Sequence, residues 1–138
     1  MIPQYEESIM SKDKMVWVVG DDPAVMMKVV GNLKDKHELR VFGNADDAAS
    51  ELRVVTNNKP DLVIADHDTK NIMSQSGIVR KADRNNIPVI LLSNTPEIEE
   101  KLAMKNVTVT SKELSSKELT DLVDESIAAH AGMQYARK

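Results

Sequence analysis

A doubly wound α/β domain, five parallel strands alternating with five helices, is what this sequence predicts, and three observations carry that prediction. Five short apolar or alternating runs, each of strand length, recur along the chain. Between them lie stretches with helical spacing or helix-start signals. The run at 62–65 is apolar on both faces, as a central parallel strand covered by helices on either side must be. Strands that alternate with helices in this way build one parallel sheet with crossover helices on its faces.

The first strand is the apolar run 15–19, which contains Trp17. Asp22-Pro23 follows, an N-cap with proline in the first helical turn, so a helix starts there. Its positions Val25, Met26, Val29, Val30 and Leu33 keep a helical spacing to about Lys36. Residues 38–42 form a second strand. Asn44 caps a second helix from Ala45 to about Thr56, with Ala48, Leu52 and Val55 on one face. The third strand is 62–65. Residues 67–77 read as a polar loop and 78–84 as a third helix. Residues 88–92 make a fourth strand, and Thr95-Pro96 opens a short fourth helix by the same cap-then-proline logic. Residues 107–110 alternate as a fifth strand. Ser115 and Glu118 form a capping box that opens the last helix, expected to end near Ala131-Gly132. Residues 1–14 are expected to be a flexible leader, 15–132 the domain and 133–138 a tail.

Length and composition narrow the chemistry. At 138 residues the chain has the size of one domain with a real core. A net charge of −4 with no visible basic patch argues against a nucleic-acid partner. With no cysteine, disulfides, thiolate catalysis and cysteine-ligated zinc are excluded, which fits a cytoplasmic setting. No apolar run approaches the roughly 20 residues of a membrane span. Neither HxH nor HExxH occurs, so no zinc motif is present, and His67, His37 and His130 read as loop or exposed helix-end residues. Trp17 and the Met26-Met27 pair read as core or interface filling.

The strand ends hold the chemistry. Ligands of open α/β sheets sit beyond the carboxyl ends of the strands. Asp21, Asp66 and Ser93 follow three different strands, and Lys112 follows a fourth. Magnesium needs one or two carboxylates besides phosphate oxygens and water, so Asp21 and Asp66 suffice, with Asp22 assisting beside its capping role. An aspartate that attacks a phosphoryl donor forms an acyl phosphate. The added oxygens then call for compensating charge, which Lys112 carries, and for a hydroxyl donor, which Ser93 carries.

These motifs give a specific resemblance. Residues 14–132 resemble a response-regulator receiver domain, CheY-like, of two-component signal transduction. Val19-Gly20-Asp21-Asp22-Pro23 is similar to the family's acidic-pocket motif, and Pro60-Asp61-Leu62-Val63-Ile64-Ala65-Asp66 to its phosphoacceptor strand. Ile87-Pro88-Val89-Ile90-Leu91-Leu92-Ser93 is similar to the strand ending in the switch hydroxyl, and Lys112 to the family's lysine. The resemblance implies a flavodoxin-like sheet in the order 2-1-3-4-5 and a regulatory domain rather than an enzyme. It implies phosphorylation of Asp66 with Mg2+ held by Asp21, Asp22, Asp66 and the backbone carbonyl of Asp68. It also implies a histidine kinase or phosphotransfer protein as donor, a downstream protein target, and a contact or homodimer surface on the fourth and fifth strands and their helices.

Several positions depart from the family pattern. Gly20 stands where the first acid of the pair is expected, and Asn94 follows the switch hydroxyl in place of a small residue. Val109 occupies the aromatic switch position and Glu113 replaces the proline after Lys112. The short span from Ser93 to Lys112 implies a trimmed fourth helix. These departures favour an alternative reading, a pseudo-receiver that captures a protein partner independently of phosphate.

Overall fold

In this computed structural model, which describes residues 14–55, 59–66, 72–93 and 106–136, the apolar runs pair into one sheet of five parallel strands in the order β2-β1-β3-β4-β5. The strands are β1 (Met15–Val19), β2 (Glu38–Phe42), β3 (Leu62–Asp66), β4 (Val89–Ser93) and β5 (Val107–Ser111). Four helices are described: α1 (Pro23–Leu33), α2 (Ala45–Val54), α3 (Ile72–Arg84) and α4 (Ser116–Ala136). The short helix expected after Thr95-Pro96 falls outside the described residues, as do the leader up to residue 13, His67 and Asp68.

The central strands alternate between two apolar layers because successive side chains of a strand point to opposite faces. Trp17, Val19, Val63, Ala65, Val89 and Leu91 face α2 and α3 and meet Ala48, Leu52, Ile78 and Ala82. Val16, Val18, Leu62, Ile64, Ile90 and Leu92 face the other way, against Val29 and Leu33 of α1 and Leu119 and Val123 of α4. Every residue of β3 and β4 is buried. Trp17 packs on Phe42 at 4.8 Å between ring centroids, and the Arg40 guanidinium lies over both rings while pairing with Glu51 at 2.6 Å.

Local chemistry sets the helix boundaries. Asp22 accepts hydrogen bonds from the backbone N–H groups of Ala24 at 3.0 Å and Val25 at 3.5 Å, capping α1 ahead of Pro23. Asn44 does the same for α2 through the N–H of Asp47. At α4 the Glu118 carboxylate accepts from the Ser115 N–H while the Ser115 hydroxyl accepts from the Glu118 N–H, a closed capping box. The Lys28 ammonium on α1 donates to the Leu114 carbonyl, tethering the entrance of α4. Asp61 joins the starts of two strands: its carboxylate accepts from Met15 N–H at 2.8 Å and its own N–H donates to the Met15 carbonyl at 2.7 Å.

Three expectations require correction. α3 begins at Ile72, so most of the stretch read as a loop is helical, and Gly77 lies inside the helix. Glycine in a helix interior costs only about 1 kcal/mol, which the Ile78, Val79 and Ala82 packing offsets. α4 likewise passes through Gly132 to Ala136 rather than ending there, so the expected tail from 133 is largely helix. His37 is not exposed: its side chain is 10% accessible, with Nε2 3.8 Å from Asp124.

The caps give two measurable outcomes. Asp22→Ala is expected to lower unfolding stability by about 1 kcal/mol in urea titration, because the first amides of α1 lose their acceptor. The Ser115 hydrogen bonds hold Glu118 below its ordinary carboxylate value, so their contribution is present above that ordinary value and is lost as pH falls through the depressed one. Ser115→Ala removes the hydroxyl and keeps the backbone N–H, the larger cause, so it should move the Glu118 titration only part of the way upward in a carboxyl-carbon NMR experiment.

Candidate functional site

The register of the sheet brings the chemistry together. β3 ends on Asp66 and β4 on Ser93, with Asp66 opposite Leu92 and Ser93 opposite Ser111. The Lys112 N–H donates to the Ser93 carbonyl at 3.3 Å, extending the β4–β5 ladder by one residue. Ser111 then accepts the Glu113 N–H on its hydroxyl at 3.0 Å, which closes the turn. Glu113 is left exposed. Lys112 runs inward instead, its ammonium 2.7 Å from Oδ1 of Asp66. The two side chains are 11% and 2% accessible, so this is a buried ion pair.

The other oxygen of Asp66 faces the turn after β1. Val19 is opposite Ala65, which sets Gly20 beside Asp66. A Cβ added at Gly20 would lie 2.6 Å from the Asp66 Cβ and 3.3 Å from its Oδ2. No real pair of carbons tolerates the first distance, and the Asp66 Cβ, fixed to its backbone, cannot swing away. Close approach of the backbone, rather than an unusual φ, is what requires glycine here. Met26 closes the same space, with its sulfur 3.1 Å from that added carbon.

Of the residues singled out from sequence, Asp66 and Lys112 are in contact, and Ser93 ends the neighbouring strand, buried to 1%. Asp21 follows Gly20 at the same edge and is exposed. Asp22 spends one carboxylate oxygen on the α1 cap, and Asp68 lies outside the described residues. Among the described residues, no group of three or more His, Cys, Asp or Glu is placed to hold a metal. Two carboxylates, the exposed Asp21 and the buried Asp66, stand at this edge. Val109, the expected aromatic position, leans half-buried on the α2–α3 layer. Sequence reasoning passed over Ser111, whose place as the last strand residue before Lys112 was the available signal.

Comparison with solved structures places the architecture: this is the fold of response-regulator receiver domains. PhyR, a response regulator from Brucella abortus, superposes with a TM-score of 0.73 at 17% identity over 99% of this chain and 57% of its own. A CheY-like receiver domain protein from Methanospirillum hungatei JF-1 gives 0.69 at 14% identity, over 87% and 98%. The receiver domain of a histidine kinase from Syntrophus aciditrophicus gives 0.68 at 20% identity, over 84% and 91%. The sequence matches no family model and no curated protein. Among the described residues, no helix is long and apolar enough to cross a membrane.

Removing one partner of a buried pair leaves a desolvated charge behind. Lys112→Ala is expected to cost about 3 kcal/mol of stability, and combining it with Asp66→Asn to cost less than the two single changes summed. The check is a double-mutant cycle in guanidinium chloride. Gly20→Ala should cost about 1–3 kcal/mol by the same measurement, since the β1 turn and Asp66 must separate.

Proposed function

We propose that this chain is a receiver module of phosphorelay signalling that accepts a phosphoryl group on Asp66. The observation that carries the reading is the buried Asp66–Lys112 pair at the carboxyl edge of the sheet, with Ser93 one strand away. A carboxylate oxygen of Asp66 attacks the phosphorus of a phosphohistidine on a histidine kinase or phosphotransfer protein. The P–N bond breaks, the imidazole nitrogen keeps the electron pair and takes a proton, and an aspartyl phosphate forms. Lys112 supplies the positive charge that the new oxygens require, and the Ser93 hydroxyl donates to one of them. Asp21 and Asp66, with Asp22 and the Asp68 carbonyl beside them, would hold Mg2+. Magnesium, when bound, offsets charge on the phosphoryl oxygens.

The role is regulatory and not that of an enzyme acting on separate substrates. Its output passes through a protein target in a cytoplasmic setting, with a homodimer through β4–β5 as one form of contact and no nucleic acid or membrane engaged directly.

A second reading has its own observation. The backbone at Gly20 approaches Asp66 so closely that the first acid of the receiver pair has no room. That favours a pseudo-receiver, which would bind its partner through the fold without phosphate.

Intact mass after incubation with acetyl phosphate, with and without magnesium, separates the two. The expected result is one phosphoryl addition that needs magnesium and disappears in Asp66→Asn. No addition, under conditions where an active receiver reacts, would establish the pseudo-receiver reading instead.

A further inference from the structure

At the opposite edge of the sheet from Asp66, the ends of α2 and α3 enclose a groove of about 490 Å³. Arg53, Lys59, Lys81 and Arg84 line it, together with Leu52, Val55 and Asn85. Lys59 precedes β3 and Arg84 ends α3, so the groove lies near the amino ends of the strands. The length of β3, about 13 Å by strand rise, separates that edge from Asp66. Four basic residues line it in a chain whose net charge is −4.

Their ordinary employment would be to complement the carbonyl ends of two helices, and Arg53, Lys81 and Arg84 do sit in last turns. At α3 most of those carbonyls already have donors. The Asn85 N–H donates to the Lys81 and Ala82 carbonyls, Asn86 to Asp83, and Ile87 to Ala82. Asn86 adopts φ 60° to make this cap, and the Asn85 side-chain amide adds a further bond to the Lys81 carbonyl at 2.7 Å. At α2, the Val55 N–H reaches the Glu51 carbonyl.

Among the described residues, none of the four cations is in an ion pair. Glu51 is taken by Arg40, and the Asp83 carboxylate accepts the Asn106 N–H at 2.8 Å. Lys59 is held toward the groove by Asn85 Oδ1 at 3.3 Å. The result is a concavity whose lining includes four basic residues beside Leu52 and Val55.

We propose that this groove binds a small phosphate-bearing anion with at least two negative charges. Its volume falls in the range of small-ligand sites, roughly 300–1,000 Å³, and is too small for a duplex to enter. Guanidinium groups at Arg53 and Arg84 suit planar, bidentate recognition of phosphate oxygens, while Lys59 and Lys81 act as point charges. The site is separate from the phosphoacceptor edge and stands whether or not Asp66 is modified.

Inorganic pyrophosphate is the probe, titrated into the full chain at fixed ionic strength while backbone amide shifts are followed by NMR. The expected result is saturable movement confined to residues around 52–55, 59 and 81–86, with an apparent Kd near or below about 1 mM. Lys81→Gln combined with Arg84→Gln should weaken it about tenfold while leaving the remaining spectrum in place, which shows that the fold persists. Asp66→Asn should bind as the unaltered chain does. Non-saturating or dispersed shifts, or equal binding by the Lys81→Gln/Arg84→Gln variant, would overturn the proposal. So would tighter binding of a short DNA duplex or an acidic peptide than of pyrophosphate, since either would make the groove part of a macromolecular surface.

Discussion

Everything at the carboxyl edge depends on one constraint, the burial of β3 on both faces. Leu62 and Ile64 belong to one apolar layer and Val63 and Ala65 to the other, so the strand can neither rotate nor slip without exposing a full set of side chains. Its last residue, Asp66, is consequently delivered to a fixed point between β1 and β4. Asp61 fixes the other end of the same strand against Met15. With both ends held, a carboxylate can be kept 2% accessible and still meet the Lys112 ammonium. The pair itself is weak evidence for stability, because desolvating two charges costs about as much as their attraction returns. What it contributes is position.

Two kinds of signal made the fold legible in the sequence. The apolar runs at β1, β3 and β4 are too short for helices and rich in β-branched residues, so their identity was plain. Helix starts were equally clear at Asp22, Asn44 and Ser115, where a side-chain oxygen caps amides only a few positions on. Strand ends emerged one residue further along than the apolar pattern suggested, at Asp66, Ser93 and Ser111, because hydrogen bonding continues past hydrophobicity. Asp66, Ser93 and Lys112 could be named because the sheet's edge converts sequence order into proximity.

Other features could not be read, for physical reasons. The start of α3 is polar and interrupted by Gly77, so local preference pointed to a loop while packing at Ile78, Val79 and Ala82 made a helix. The end of α4 was misplaced for the same reason at Gly132. Half-burial of His37 follows from the approach of α4 across α1, a contact between distant segments. The cationic groove is the clearest case: Arg53, Lys59, Lys81 and Arg84 are scattered through the chain and no window contains a basic run. Only the packing of α2 beside α3 collects them.

The contact between Gly20 and Asp66 also bears on how such a domain can change over generations. An acid at position 20 requires a side chain where the Asp66 Cβ already lies, so gaining it by one substitution first passes through a clash. Any side chain at position 20 is tolerated only after a compensating shift elsewhere, at Met26 or in the turn itself.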